Sequence, residues 1–336
     1  MTVAVPHSVR AVALIAAIAA GVSAVSVPAH AQETAPECQA SLTAGDACQK
    51  TVDIFRYTTP QLGILLSGGS ATPGGYGALG RPGRFSVNIR ATAARLDVPD
   101  VSDLDIAAST PVQSTILTTR EWGAGPAFDA ELGVFGGVQL GLVTVGAIDL
   151  LGSAFYIPEF ETDNFNLTVA GNGFRFGGGV RVGIIQEGLT WPGVSVSYIR
   201  RGLPSVSVEA LTDDGDSLRV SDISLDVDAL RLMAGKRLGI LGVMAGIGTD
   251  RYKSGATISA VVEEMGLLTV LDPMDVDQSV RRVNMFAGAS LNFPFVRLVG
   301  EIGRVSGDAV TTYNTFESSG SDDARTYMSV GIRIGT

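Results

Sequence analysis

From Arg84 onward, apolar and polar residues alternate with a period of two. Phe85, Val87, Ile89, Ala91 and Ala93 interleave with Ser86, Asn88, Arg90 and Thr92. Phe174, Phe176, Val180, Val182 and Ile184 interleave with Arg175, Gly177, Gly179, Arg181 and Gly183. The same beat runs through Val283 to Leu291 and through Met328 to Ile334. This is the signature of strands with one face against an apolar medium. Such segments recur at 84–96, 127–135, 140–152, 173–186, 193–211, 218–234, 239–251, 279–292, 296–307 and 324–335. They predict about ten strands, or twelve if 205–212 and 255–263 are separate.

The connections alternate in kind. Gly136-Gly137, 187–193, Gly235-Lys236-Arg237 and Asn292-Phe293-Pro294-Phe295 are tight. Between them lie longer acidic stretches at 97–121, 159–163, 213–216, 263–277 and 308–323. In an up-and-down barrel alternate connections share a rim, so one rim is acidic and long while the other is short. The expected fold class is all-β, an antiparallel up-and-down transmembrane β-barrel over 84–336. The competing class is a soluble β-protein. In that class the outward residues Phe85, Val87, Ile89, Val180, Val182 and Ile184 would be covered by a second sheet. In a barrel they face lipid, where only a closed sheet satisfies its backbone.

Residues 1–31 differ from this. Arg10 precedes the apolar run Ala11 to Ala20, and Ala29-His30-Ala31 is an A-x-A cleavage pattern. The segment reads as a secretory signal removed after Ala31. Residues 32–83 form a further unit. Asp46 with Gln49 three residues on resembles a capping box opening a helix over about 47–57. Pro60 suits the first turn of a second short helix, Gln61 to Leu66, ended by Gly68-Gly69. Gly-rich chain then runs from Gly74 to Gly83. Cys38 and Cys48 are the only cysteines. In an oxidising compartment they are expected to pair as a disulfide, and they lack C-x-x-C redox spacing.

Composition narrows the chemistry. The formal net charge is -10, which argues against a nucleic-acid partner. Both histidines, His7 and His30, fall in the signal segment, so Ser-His, Cys-His and imidazole-metal chemistry are not expected. No G-x-S-x-G elbow or P-loop occurs, and the Gly-rich runs do not sit at a strand-to-helix junction. The expectation is no enzyme, no catalytic residue, no cofactor and no resident metal. Asp213-Asp214-Gly215-Asp216 and 272–277 lack the EF-hand ligand register, leaving weak divalent binding or plain solvation as alternatives.

By alternation, Arg84, Arg90, Arg175, Arg181, Arg282 and Arg333 turn away from the lipid face. Asp129, Glu131, Asp226, Asp228 and Glu301 are expected to share that interior. Buried cations need carboxylate partners or water. Two readings stay open: a salt-bridged filling, or a cation-lined path for polar or anionic solutes. Phe155, Tyr156, Trp191, Tyr198, Tyr252, Phe293, Phe295, Tyr313 and Tyr327 fall near strand ends, where interfacial girdles sit.

On the Ala29-His30-Ala31 signal, the alternating strands from Phe85, the turn-and-loop rhythm and the last strand Tyr327 to Ile334, the chain resembles bacterial outer-membrane β-barrel proteins. The resemblance covers 84–336 and differs in ending Ile334-Gly335-Thr336 rather than in an aromatic residue. It implies the outer membrane of a Gram-negative-type bacterium. The implied partners are outer-membrane lipid, lipopolysaccharide and the barrel-assembly machinery. The function expected first is a narrow porin-like channel for small polar or anionic solutes. The alternatives are a structural or surface-interaction barrel without transport, and a hydrophobic-compound transporter. The short helical segment looks like the N-terminal plugs of long-chain hydrophobe transporters.

Overall fold

The computed structural model describes residues 34–335 except 41–43, 73, 76, 108–109, 162–164, 213–214, 265–266 and 319–322. The signal segment with its cleavage after Ala31, and Asp163, Asp213, Asp214 and Asp322, lie outside the described residues.

Ten antiparallel strands form the wall. They are β1 (Phe85–Pro99), β2 (Thr118–Phe135), β3 (Ala147–Tyr156), β4 (Phe174–Ile185) and β5 (Gly193–Gly202), followed by β6 (Ser217–Leu238), β7 (Leu241–Glu264), β8 (Leu267–Asn292), β9 (Val296–Gly307) and β10 (Arg325–Gly335). Each pairs with the next in sequence, and β5 joins β6 from Gly193↔Gly235 to Gly202↔Asp226. The ring closes where β10 meets β1, from Ser86↔Gly335 to Ala94↔Tyr327. The wall is therefore an up-and-down barrel of ten strands, as the alternation predicts.

The outward residues are apolar and uncovered. Phe85, Ile89, Leu150, Leu232, Ile302 and Val330 are all exposed, as are Val180, Val182 and Ile184. Among the described residues no second sheet lies on them, and the ring closes as a barrel rather than a sandwich. A closed wall with a continuous apolar outer band is the form a strand protein takes across lipid.

Several boundaries differ from expectation. Segment 140–152 is not one strand: Val138–Leu140 and Val143–Val145 make a small hairpin on the tight-turn side, and β3 begins at Ala147. Segment 193–211 splits into β5 and a short strand Val206–Leu211, which pairs with the upper part of β6 and with Phe165–Val169. Strands β7 and β8 run far past the band as a projecting hairpin, so Glu263, Asp272, Asp275 and Asp277 belong to strands rather than a loop.

The N-terminal segment forms one α-helix, α1 (Gly45–Ser67), rather than two. Pro60 sits inside it. A mid-helix proline orphans the carbonyl four residues earlier. Here that carbonyl, Arg56 O, receives the side-chain amide of Gln278 from β8. The wall thus repairs the helix, and no break occurs. The capping box is also absent: Ala44 is the N-cap, with no side-chain cap bond. Gln49 instead accepts from the Ala35 amide and donates to Asp53. The disulfide Cys38–Cys48 is formed and ties the 3₁₀ turn Pro36–Ala40 to α1.

Helix α1 runs inside the barrel. Its first half packs Ala47, Val52 and Phe55 against Leu104, Ile116, Val206, Ile258 and Val276, above the band. Its second half packs Ile64, Leu65 and Leu66 against Leu96, Phe155, Ile199, Val227 and Tyr252. Gly63 lies so close to the Tyr252 ring that a Cβ there would stand 2.7 Å from it. The chain therefore enters at the long-loop end, descends the axis through α1, and reaches the tight-turn end before β1 begins.

Candidate functional site

The lumen is the place where this fold gathers its chemistry. Below Ser67 the helix leaves backbone carbonyls without intrahelical donors. Wall arginines meet them. Arg201 Nη1 donates to Leu66 O at 3.3 Å, Arg231 Nη2 to Ser67 O at 3.4 Å, and Arg90 Nη1 to Gly68 O at 2.6 Å. Cations at a helix C-terminus also complement its dipole.

Each of these arginines lies within ion-pair distance of a wall carboxylate, on the adjacent strand for Arg90 and Arg231 and across the lumen for Arg201. Arg90 Nε donates to Asp129 at 2.7 Å, and Arg201 lies 3.5 Å from the same carboxylate. Ser153 and Asn88 complete the Asp129 shell. Arg231 pairs with Asp250, which also accepts from Asn284. Tyr327 donates to Glu301 at 3.0 Å, and Glu301 accepts the Ser70 amide. Closer to the tight turns, Arg181 bridges Asp149 at 2.7 Å and Glu131 at 2.8 Å, while Arg333 reaches Glu131 at 2.9 Å. Asp149 also accepts the Leu79 amide. This is a cross-linked charged layer beneath the helix, with nearly all its side chains buried.

Among the residues expected inside, Arg90, Asp129, Glu131, Arg181, Arg282, Glu301 and Arg333 are buried in the lumen. Four are not. Arg84 is exposed at the tight-turn mouth, where it donates to Leu79 O. Asp226 and Asp228 face outward, because the inward positions of β6 there are Leu225, Val227 and Ala229, packed on α1. Asp226 pairs with Arg200 at 2.7 Å and lies 3.7 Å from the exposed Arg175; Asp228 takes Lys253 at 2.9 Å and the Tyr198 hydroxyl at 2.8 Å. These outward charges mark the upper limit of the apolar band. Alternation missed Asp149, Arg201, Arg231 and Asp250, although the first lies on the inward parity of β3 and could have been found by it. Of the expected girdle, Trp191, Tyr198, Phe293 and Phe295 are exposed, whereas Phe155, Tyr252 and Tyr327 point into the lumen.

Above the band, long loops close over α1. Asp46 pairs with Lys50 and accepts the Ala107 and Val112 amides. Asp53 accepts from the Tyr313 amide and from both the amide and side chain of Asn314. Burial pushes the Asp53 carboxyl above the ordinary carboxylate range, against the downward pull of those hydrogen bonds and of Gln49. The Tyr57 ring stacks on Phe316 at 3.8 Å. The cap is thus bonded to the helix and to the 308–318 loop together.

No family model matches the chain, and no curated protein sequence matches it. Solved structures align over much of its length at low identity. Neisserial surface protein A is 10% identical, covering 74% of this chain and 96% of its own, with a TM-score of 0.27. The translocator domain of the autotransporter NalP from Neisseria meningitidis is 10% identical over 88% of this chain and 99% of its own, with a TM-score of 0.34. The toluene transporter TodX of Pseudomonas putida is 10% identical over 76% and 89%, with a TM-score of 0.30. All three are bacterial membrane or surface proteins by name; the barrel assignment here rests on the closed ring itself.

Proposed function

We propose that the protein is a closed outer-membrane barrel that anchors and presents a folded external cap, rather than a solute pore. The observation that carries this reading is the seating of α1: three wall arginines, each paired with a wall carboxylate, bind the carbonyls of Leu66, Ser67 and Gly68 across the axis. A channel needs a wet path, and this axis is occupied by helix, apolar side chains and paired charge. The reading involves no catalytic step and no cofactor.

The cap is what remains available for contact. It combines the disulfide-tied 3₁₀ turn, the projecting β7–β8 hairpin with Asp272, Asp275 and Asp277 exposed, and the loops fastened to Asp46 and Asp53. The long-loop side corresponds to the outside of the cell, since outer-membrane barrels keep short turns in the periplasm. Outward Arg95, which lies over the Trp122 ring at 5.2 Å, stands at the upper edge of the band with Arg251, Arg281 and Arg304. That belt suits the anionic headgroups of lipopolysaccharide.

Planar-bilayer recording and whole-cell labelling test the proposal together. The wild type is expected to give no steady conductance. An epitope inserted before Pro36 is expected to bind antibody on intact cells. Steady ohmic current from the wild type would restore the channel reading. An epitope reached only after the outer membrane is opened would reject external display.

A further inference from the structure

The lumen is not closed evenly. On the tight-turn side, below the Arg181–Asp149–Glu131 bridge, lies an open cavity of about 790 Å³. Its lining includes Arg81, Arg84, Arg181, Arg237, Arg297 and Arg333, against Glu187 as the carboxylate of the lining. This concentration of cations stands in a chain whose formal net charge is -10. The arginines come from separate elements: the Gly-rich segment before β1, β4, the end of β6, β9 and β10. The fold, not a local basic run, brings them together.

Two features make the cavity a binding site rather than a mouth. Arg181 is buried, yet its Nη1 has no hydrogen-bond partner. Gly75 passes directly beside that nitrogen; a Cβ on it would stand 2.7 Å away, so the guanidinium is packed tightly against this glycine. At the rim, the exposed guanidinium groups of Arg81 and Arg237 form no ion pair among the described residues. The bridge above blocks passage, so an anion entering from this side is held and not transmitted. A concave site with walls of low dielectric strengthens the attraction of its cations for an anion. The volume falls within the range of small-molecule sites.

We propose that this vestibule binds a small multivalent oxyanion, a molecule bearing two or more carboxylate or phosphate groups, presented from the periplasmic side. Guanidinium forks pair with either group in bidentate fashion. Arg81, Arg84 and Arg237, which form no ion pair among the described residues, are spread around one cavity and favour a ligand with more than one charged group over a single small anion. The inference is independent of what the external cap contacts, and conductance does not bear on it.

The purified barrel in neutral detergent at low salt is titrated calorimetrically with pyrophosphate, citrate and acetate. Saturable binding of pyrophosphate, citrate or both is expected, with acetate far weaker, and affinity should fall as salt screens the rim. Binding of one multivalent anion alone assigns the ligand's charged group. The double variant Arg81→Ser/Arg237→Ser should weaken binding by roughly tenfold, while the outward Arg219→Ser, away from the cavity, leaves it unchanged. In the wild type, the bound anion should also protect Arg81, Arg84 and Arg237 from phenylglyoxal, read by mass spectrometry, which requires no variant to fold. Absence of saturable binding by both multivalent anions overturns the proposal. So does binding that is insensitive to the rim variant and gives no protection.

Discussion

Gln278 of β8 and Arg56 of α1 form the joint that lets a helix with an internal proline stay whole. The Gln278 amide donates to the Arg56 carbonyl at 3.2 Å, and its Oε1 accepts from the Thr59 hydroxyl at 2.8 Å. Pro60 has removed the backbone donor that Arg56 O would otherwise use. Gln278→Leu should therefore destabilise the folded barrel by roughly 1–3 kcal/mol, because it leaves buried polar groups unpaired. In a Pro60→Ala background the same substitution should cost less, since alanine restores the backbone N–H at that position. Urea midpoints of the four proteins in one detergent give the coupling; equal costs in both backgrounds would reject the repair.

The helix should be removable by steric means. Gly63→Leu places a side chain where the Tyr252 ring already stands. Expelling the second half of α1 would leave arginines lining a wetter axis. The expected outcome is conductance in planar bilayers from the variant but not from the wild type, with the barrel still showing heat-modifiable mobility on gels. A silent, folded variant would mean that the axis is closed by more than the helix.

Arg181→Glu should be costly. It would set a third acid against Asp149 and Glu131, and it would strip Glu131 of one of its two cations. Broken buried pairs cost about 3–5 kcal/mol. The outward substitution Arg251→Glu, on an exposed residue, should stay within roughly 0.5 kcal/mol. Chemical denaturation of both variants distinguishes a charged core from a hydrated lumen, where the two would differ little.

Acid should tighten the cap around Asp53. Its folded-state carboxyl is held above the ordinary range by burial. The stability this group contributes is therefore full below its unfolded value, near ~4, and is lost as pH rises through the raised folded value. Hydrogen exchange at residues 312–316 should slow as pH falls through that window, after correction for intrinsic exchange rates. Subtracting the profile of Asp53→Asn isolates the contribution. A difference profile that is flat, or that slopes the other way, contradicts the assignment.

Alternation read the wall well where each strand meets one solvent. Phe85 to Ala93, Val283 to Leu291 and Met328 to Ile334 cross only the band, and their parity holds. It failed on β6, which crosses two media. Leu230 and Leu232 face outward into the apolar band, but two residues further the outside is water. There Asp228 and Asp226 take the outer face while Val227 and Leu225 turn in against α1. Polar meant inside below that point and outside above it, and nothing local marks the crossing. Asp149 is hidden differently: it is a lone acid in the apolar run Ala147 to Leu151, yet it is the carboxylate that fixes Arg181. The single helix was illegible for a third reason. Its continuity past Pro60 depends on Gln278, more than two hundred residues away in the chain.

The threading of the chain constrains the order in which it can be assembled. The disulfide-tied turn at Cys38–Cys48 lies at the long-loop end, while β1, only 18 residues beyond the end of α1 at Ser67, starts at the tight-turn end. Once β10 has zipped onto β1, the axis is occupied and a covalent loop cannot be drawn through it. The N-terminal segment must reach the far side while that seam is still open. Arg90 stands on β1, one of the two seam strands, and binds Gly68 O, so the seam and the end of the helix are joined by one side chain. Closure and plugging are therefore expected to depend on each other. Weakening the β1–β10 pairing should trap a helix-exposed intermediate rather than an empty barrel.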